Sequence, residues 1–149
     1  MRKVMFVCHG NICRSVMAEY IMKDIISKNN LDDNYYIASS ATSREEIGND
    51  IYYLAKDTLR RHNIPFSTHY ARQITKDDYD NFDYIIVMDD ENIMGLRRIV
   101  SDNSKTYKLL SFTNENRDVI DPWYSRRFEE CFDDIDRGCK ALFEFLERS

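Results

Sequence analysis

Residues 4–15 constrain the fold of this chain more than any other stretch. An apolar run ends at Cys8, a short polar loop containing the first glycine follows, and Arg14 and Ser15 open an amphipathic segment. This order predicts a strand, a loop and the N-terminus of a helix. Such a loop collects free backbone N–H groups around one point, and a helix start favours an anion there. The stretch therefore predicts an anion-binding loop.

Two side chains determine the chemistry of this loop. Cys8 stands where the strand ends, so its sulfur is expected to face the anion. Arg14 follows six positions later, and its planar guanidinium can hold two phosphate oxygens at once. The helix dipole and the guanidinium both favour the thiolate form of Cys8. The spacing of one cysteine, five residues and one arginine therefore indicates a nucleophile beside a phosphate site.

Apolar periodicity predicts strands that alternate with helices along the rest of the chain. Strands are expected at residues 35–41, 84–88 and 107–110, and helices at 14–28, 51–63, 90–100 and 128–146, with 66–80 irregular. The alternation predicts an α/β fold with a parallel sheet, whose ligands bind beyond the carboxyl ends of the strands. Cys8, Ser39 and Asp89 all fall at or near such ends. Asp89 or its neighbour Asp90 is also a suitable cap for the helix that follows.

Length and charge restrict the class of protein. The 149 residues, 43% hydrophobic, fit one domain over 1–149. A net charge of −5 argues against general nucleic-acid binding. No apolar run reaches membrane length and no signal-peptide pattern is present, so we expect no membrane association and a cytoplasmic location. Four cysteines are too few for a fold built on disulfides, which favours a reducing compartment and a working thiol.

Several segments resemble, in the same order, those of the low-molecular-weight protein tyrosine phosphatases. Residues 8–15 resemble the family's phosphate-loop signature, and the Asp-Pro-Trp-Tyr sequence at 121–124 resembles its general-acid loop. Shorter matches lie at residues 39–43, 46–48, 69–73 and 82–84. The resemblance implies a doubly wound four-stranded parallel sheet, in the order 2-1-3-4, with helices on both faces. It also implies an enzyme that hydrolyses phosphotyrosine and aryl phosphate monoesters through a phosphocysteine.

The resemblance implies a role for each residue of the loop. The phosphate-binding loop would comprise Cys8, His9, Gly10, Asn11, Ile12, Cys13, Arg14 and Ser15. Its supporting hydrogen bonds would join Asn11 to Ser15, Ser39 and His69. Cys8 and Arg14 would be catalytic. Because protein donors would neutralise the phosphate, no cofactor or metal is expected.

Asp121 is the expected general acid. Its alternative is an ordinary surface carboxylate, because the surrounding region is acidic. Pro122 favours the catalytic interpretation, since a following proline restricts Asp121 to extended geometry and stiffens the loop. Trp123 and Tyr124 would form one wall of the substrate site, and Glu45 would lie on the opposite rim.

Three positions depart from the family pattern. Glu45 stands where relatives often carry an aromatic or other bulky group, which leaves the preferred peptide open. His9 replaces a common apolar residue and could add positive charge near the site. Val16 replaces a common proline. None of these changes removes an expected catalytic group.

The remaining cysteines have structural and functional interpretations. Cys13 could pack beneath the loop as a small apolar residue, or it could capture an oxidised Cys8 as a disulfide. Both interpretations stay open. Cys131 and Cys139 lie on the final predicted helix and are expected to be structural. The spacing of Cys8 and Cys13 is too long for a zinc knuckle.

The expected partners are a phosphotyrosine-containing protein or peptide and the product phosphate. The chain itself is expected to be a monomer or to associate weakly with itself. Three rival functions make different demands on the sequence. An arsenate reductase needs two further cysteines near mid-chain, and residues 84–100 contain none. A phosphocysteine carrier lacks the Asp-Pro acid and does not need the arginine. A catalytically inactive phosphotyrosine-binding module would lack one or more of the expected catalytic residues, and Cys8, Arg14 and Asp121 are all present.

Overall fold

The computed structural model describes all residues, 1–149, around a four-stranded parallel sheet in the order β2-β1-β3-β4. The strands are β1 (Arg2–Cys8), β2 (Tyr35–Ala41), β3 (Tyr84–Val87) and β4 (Thr106–Lys108). The class and the strand order expected from the sequence are confirmed. Because all four strands run in the same direction, their carboxyl ends share one edge of the sheet.

Strand β1 lies at the centre of the sheet, a position that its apolar composition favours. Its residues from Val4 to Val7 are completely buried, as expected for a continuous apolar strand that is paired on both sides. Val7 pairs with Ser40 on β2 and with Val87 on β3. Cys8 follows directly and pairs with Ala41. This register brings the start of the predicted loop to the shared edge of the sheet.

Helices pack on both faces of the sheet. They are α1 (Arg14–Lys28), α2 (Tyr53–Arg61), α3 (Lys76–Asn81), α4 (Asp90–Arg97), α5 (Pro122–Ser125) and α6 (Phe128–Arg148). Alternate side chains of β1 enter different cores: Phe6 packs with residues of α1 and α6, whereas Met5 packs with residues of α3 and α4. This two-sided packing makes the fold doubly wound. None of the helices has both the length and the apolar character needed to cross a membrane.

The structure corrects the expectation of irregular chain over residues 66–80. Helix α3 begins at Lys76 because Thr75 and Asp78 form a capping box. The Thr75 hydroxyl accepts a hydrogen bond from the Asp78 N–H, and the Asp78 carboxylate accepts one from the Thr75 N–H. Reciprocal capping of this kind satisfies two N–H groups that otherwise lack partners. The Thr-x-x-Asp pattern was the available sequence signal for this helix.

Several element boundaries also differ from the prediction by one to three residues. Strand β4 ends at Lys108, and a 3₁₀ turn (Leu109–Phe112) follows because two leucines leave the strand to enter the core. Helix α2 begins at Tyr53, although the buried Ile51 was expected on it. Helix α4 ends at Arg97, three residues before Val100, and the Val100 N–H still donates to the Leu96 carbonyl.

Candidate active site

Hydrogen-bond donors converge on the sulfur of Cys8, which is only 3% exposed. The backbone N–H groups of Asn11 and Ser15 donate to Sγ at 3.3 and 3.4 Å. The Ser15 hydroxyl oxygen lies 3.1 Å from the same sulfur. Three polar groups of the loop therefore surround this sulfur. The loop between β1 and α1 therefore holds a sulfur in surroundings suited to a nucleophile.

Asn11 holds the loop in shape from within. It is completely buried and its φ is 63°, a left-handed conformation that asparagine tolerates better than most residues. Its Nδ2 donates to Ser15 Oγ at 2.7 Å and to Ser39 Oγ at 3.0 Å. Its carbonyl oxygen lies 2.7 Å from His69 Nε2. Because Ser15 Oγ accepts from Asn11, the hydroxyl proton of Ser15 is free to point at Cys8.

Arg14 is buried, and one of its nitrogens is fully engaged. Its Nη1 donates to Asp89 Oδ2 and to the Val119 carbonyl, both at 2.7 Å, while Nη2 lies 3.6 Å from Asp121 Oδ2. All the hydrogen bonds of this guanidinium to protein groups therefore come from Nη1, and Nε and Nη2 make none. Burial acts to lower the pKa of Arg14, but the negative charges of Cys8, Asp89 and Asp121 outweigh it and raise the pKa. Arg14 is a permanent cation at this site.

Asp89 makes two structural contacts, of which the sequence analysis anticipated the helix cap. Its Oδ1 accepts from the Asn92 N–H at 2.8 Å and caps α4, while its Oδ2 holds Arg14. The contact from Arg14 to the Val119 carbonyl was missed. It is a backbone contact, so no side-chain pattern in the sequence could have revealed it.

Asp121 lies at the N-terminus of the short helix α5. Its φ of −70° and ψ of 114° are extended, as Pro122 requires, and its Oδ1 accepts from the Trp123 N–H at 3.0 Å. The side chain is 27% exposed. The carboxylate therefore lies partly shielded beside the guanidinium of Arg14.

One pocket brings these groups together. It is lined by residues 8–14 of the loop, by Asp121, Trp123 and Tyr124, and by Glu45 and Glu46 from the segment after β2. Glu46 was not among the expected site residues. Its Cγ lies close to Gly10, where an added Cβ would be 3.4 Å away. Ser15, Ser39 and His69 support the loop from outside the pocket lining, through the hydrogen bonds described above.

Two of the positions that depart from the family pattern contact each other. His9 Nε2 lies 2.8 Å from Glu45 Oε2, and their side chains are 53% and 70% exposed. The pair bridges the loop between β1 and α1 and the segment after β2. An exposed pair of this kind contributes only about 0–1 kcal/mol to stability. Because both residues line the pocket, the pair matters more for the charge at the pocket mouth than for the stability of the fold.

All four cysteines are free and buried. Burial, followed by the neighbouring Cys8, raises the pKa of the Cys13 thiol. Burial also raises the pKa of Cys131 and of Cys139, both on α6. The structure contains no group of three or more His, Cys, Asp or Glu side chains that could hold a metal ion.

Fold and site together define a doubly wound α/β protein with a buried cysteine and a buried arginine in the loop at the carboxyl end of its first strand. Residues 3–149 match the family model described as low molecular weight phosphotyrosine protein phosphatase. The chain is similar to the human protein of that name, with 40% identity over 151 residues, covering 96% of this chain and 94% of the relative.

Solved structures agree with the family match. The crystal structure of YfkJ from Bacillus subtilis superposes with a TM-score of 0.96 at 39% identity, covering 99% of this chain and 96% of that one. A Streptococcus pyogenes low molecular weight protein tyrosine phosphatase superposes with a TM-score of 0.87 at 40% identity, covering 99% and 93%. The chain therefore belongs to the low-molecular-weight phosphotyrosine protein phosphatase family. The family and the enzyme class expected from the sequence are confirmed.

Proposed function

We propose that this protein hydrolyses phosphotyrosine and aryl phosphate monoesters through a phosphocysteine on Cys8. The observation that carries the proposal is the position of the Cys8 sulfur, which accepts from loop N–H groups next to the buried Arg14, whose hydrogen bonds to protein groups all come from Nη1. The substrate would be a phosphotyrosine-containing protein or peptide, and inorganic phosphate would be a product. The family name carried by the relatives supports this substrate class.

In the first step, the phosphate oxygens bind the N–H groups of residues 9–14 and the Nε–Nη2 edge of Arg14. The Cys8 thiolate attacks phosphorus in line, forming the S–P bond as the bond to the phenolic oxygen breaks. Asp121 gives its proton to that oxygen, a contribution of about 10²–10⁴-fold. The same loop donors stabilise the charge of the transition state.

In the second step, the phosphocysteine is hydrolysed. Asp121 is now a carboxylate and takes a proton from an attacking water, whose oxygen forms the new bond to phosphorus. The S–P bond breaks, phosphate leaves and the thiolate returns. Ser15 lies 3.1 Å from the sulfur, where its hydroxyl can stabilise the departing thiolate.

The pocket mouth favours an aromatic ester. Trp123 and Tyr124 are 41% and 82% exposed beside the pocket and offer a wall for the ring of phosphotyrosine. Because Cys8 lies buried at the base, a long and rigid side chain reaches it better than phosphoserine does. Four free thiols are consistent with our proposed cytoplasmic location. We propose that residues 1–149 form a single catalytic domain that acts as a monomer or with weak self-association.

The nucleophile is tested with p-nitrophenyl phosphate and a phosphotyrosine peptide. Cys8→Ser should abolish turnover of both, yet retain binding of phosphate esters, because the loop amides and Arg14 remain. Cys139→Ser is the matched control, since a serine there can still donate to the Ala18 carbonyl that Cys139 contacts. Substantial hydrolysis by the Cys8→Ser variant would overturn the assignment.

The general acid is tested by changing the leaving group. Tyrosine has an ordinary pKa of about 10, so its oxygen departs poorly without a proton, whereas nitrophenolate departs more readily. Asp121→Asn should therefore lose far more rate on phosphotyrosine than on p-nitrophenyl phosphate. Asp118→Asn, which removes a nearby carboxylate bound to Lys108, is the control. Equal losses on both substrates would mean that Asp121 only supports the structure.

A further inference from the structure

Tyr52 connects the phosphate loop to the segment that carries the general acid. Its backbone N–H donates to the Ile12 carbonyl in the phosphate loop at 3.0 Å. Its ring packs against Trp123, with ring centroids 4.7 Å apart. Tyr52 lies just before α2 and is not among the residues that line the pocket. One residue therefore touches both halves of the catalytic machinery without facing the substrate.

Arg126 holds Tyr52 in this arrangement. Its Nη2 donates to the Tyr52 hydroxyl at 2.9 Å, and its Nη1 donates to the Trp123 carbonyl at 3.3 Å. The guanidinium also lies 5.5 Å from the centroid of the Tyr52 ring. Arg126 has a φ of 62°, an uncommon left-handed conformation for a residue with a β-carbon. The surrounding contacts must therefore maintain that conformation.

Asp121 depends on the same small unit. Its carboxylate accepts from the Trp123 N–H, so the position of that backbone orients the acid. Helix α5 has only four residues, too few to be stable through its own hydrogen bonds. Packing from outside must hold it, and the Tyr52 ring supplies that packing at Trp123.

We propose that Tyr52 is a positioning residue for the acid Asp121, acting through Trp123, and that Arg126 keeps Tyr52 in place. The inference rests on the proposed function, in which Asp121 protonates the leaving group. A displacement of the acid by about 1 Å can cost on the order of 10²-fold in rate. Loss of the ring should therefore impair the steps that need the acid and spare the steps that need only the phosphate loop.

The test measures turnover over a series of aryl phosphates with leaving groups of increasing pKa. Tyr52→Leu should lose about 10–100-fold on phenyl phosphate and phosphotyrosine but far less on p-nitrophenyl phosphate. It should also weaken the limb of the pH–rate profile that reports a protonated acid. The backbone bond to Ile12 is retained in this variant, so inhibition by phosphate should hardly change. Equal losses for every leaving group would overturn the inference.

Two further variants separate the ring from its hydroxyl. Tyr52→Phe keeps the packing on Trp123 and should lose less than Tyr52→Leu, while Arg126→Gln should resemble Tyr52→Phe. These milder changes keep the test decisive if Tyr52→Leu fails to fold, as judged by thermal unfolding. Tyr70→Leu, which replaces a 71% exposed tyrosine outside the pocket lining, is the matched control. If the turnover rates of Tyr52→Phe and Arg126→Gln vary with the leaving group as those of the wild type do, the bond from Arg126 to the Tyr52 hydroxyl has no part in positioning the acid.

A double variant distinguishes failure of this inference from failure of the proposed function. In an Asp121→Asn background, Tyr52→Leu should cause no further loss on phenyl phosphate, because the group that it positions is gone. A full additional loss would show that Tyr52 acts independently of the acid. If Asp121→Asn itself shows no dependence on leaving group, the proposed acid and its positioning residue are both wrong. If the loss in Asp121→Asn depends on the leaving group but the loss in Tyr52→Leu does not, the proposed function is supported and this inference is wrong.

Discussion

Arg14 and Asp89 meet through one guanidinium nitrogen, with Arg14 Nη1 donating to Asp89 Oδ2 at 2.7 Å. Their side chains are 3% and 16% exposed, so the pair lies largely out of water. Because the same nitrogen also donates to the Val119 carbonyl, the guanidinium is held in one orientation. Its Nε and Nη2 make no hydrogen bond within the protein, and our proposed mechanism assigns these two donors to the phosphate.

Arg14→Lys should be nearly as damaging as Arg14→Ala. A lysine ammonium is a single point charge and cannot bind Asp89 on one side while presenting two parallel donors on the other. Turnover of aryl phosphates and inhibition by vanadate should fall in both variants, as measured by steady-state kinetics. Near-normal rates with lysine would contradict the argument from the guanidinium edge.

Asp89→Asn should destabilise the protein, because it removes the closest charged partner of a buried arginine. Removal of one member of a buried pair typically costs about 3–5 kcal/mol, measured here by urea unfolding. Inorganic phosphate should raise the melting temperature of this variant more than that of wild type, since the anion replaces the missing charge. Asp90→Asn, at a mostly exposed carboxylate that binds Lys108, is the control. Equal losses in the two variants would argue against a special role for the Arg14 pair.

Cys13→Ser should keep most activity but recover poorly after oxidation. Peroxide would oxidise the Cys8 thiolate to a sulfenic acid, and the Cys13 sulfur would displace water from it to form a disulfide that a thiol reductant can reverse. Activity is measured after mild peroxide and then after reductant, with peptide mass mapping of the oxidised protein. Recovery equal to wild type, or Cys8 paired with another cysteine, would contradict this role.

Asp134→Asn should lower stability at neutral pH and matter progressively less in acid. Burial acts to raise the pKa of Asp134, but Arg117 and Arg137 outweigh it and lower the pKa below the ordinary 3.8. A carboxylate with a lowered pKa stabilises the fold above its unfolded-state pKa, and this contribution is lost as the pH falls through the folded-state value. Urea unfolding from pH 7 to below 3.8 should show the gap between variant and wild type closing.

The exposed Asp133 supplies the control for this pH dependence. Asp133→Asn should change stability little at any pH. If the gap between Asp134→Asn and wild type stays constant through the acid range, the ion pairs of Asp134 are not the cause of the destabilisation.

Gly138→Ala should destabilise helix α6, although alanine is the better helix former by about 1 kcal/mol. A Cβ at this position would lie 2.5 Å from Leu109 Cγ and 3.0 Å from both of its methyl carbons. Overpacking of this kind typically costs about 1–3 kcal/mol, which outweighs the gain in propensity. Thermal unfolding measures the balance. Adding Leu109→Val should recover part of the loss, and a stabilised Gly138→Ala variant would show that the leucine can move aside.

Local signals account for what could be predicted and for most of the errors. The continuous apolar run of β1 and the loop after it were identified because a buried parallel strand and a helix start have recognisable patterns. Helix α3 was missed although Thr75 carries a capping signal, because its six residues offer too little apolar periodicity. The end of β4 was wrong because Leu109 is apolar in either a strand or a core turn, and only packing against α6 decides between them.

The sequence by itself determined where the loop of residues 8–15 and the Asp121-Pro122 turn lie in the chain, because each is contiguous and is marked by neighbouring residues. Only the tertiary structure decided how Arg14 is oriented, since its partners Asp89 and Val119 lie 75 and 105 residues away. The packing of Tyr52 on Trp123 was likewise invisible in the sequence. Parallel strand register brings the carboxyl ends of the strands to one edge, and side chains that are remote in the chain become neighbours there.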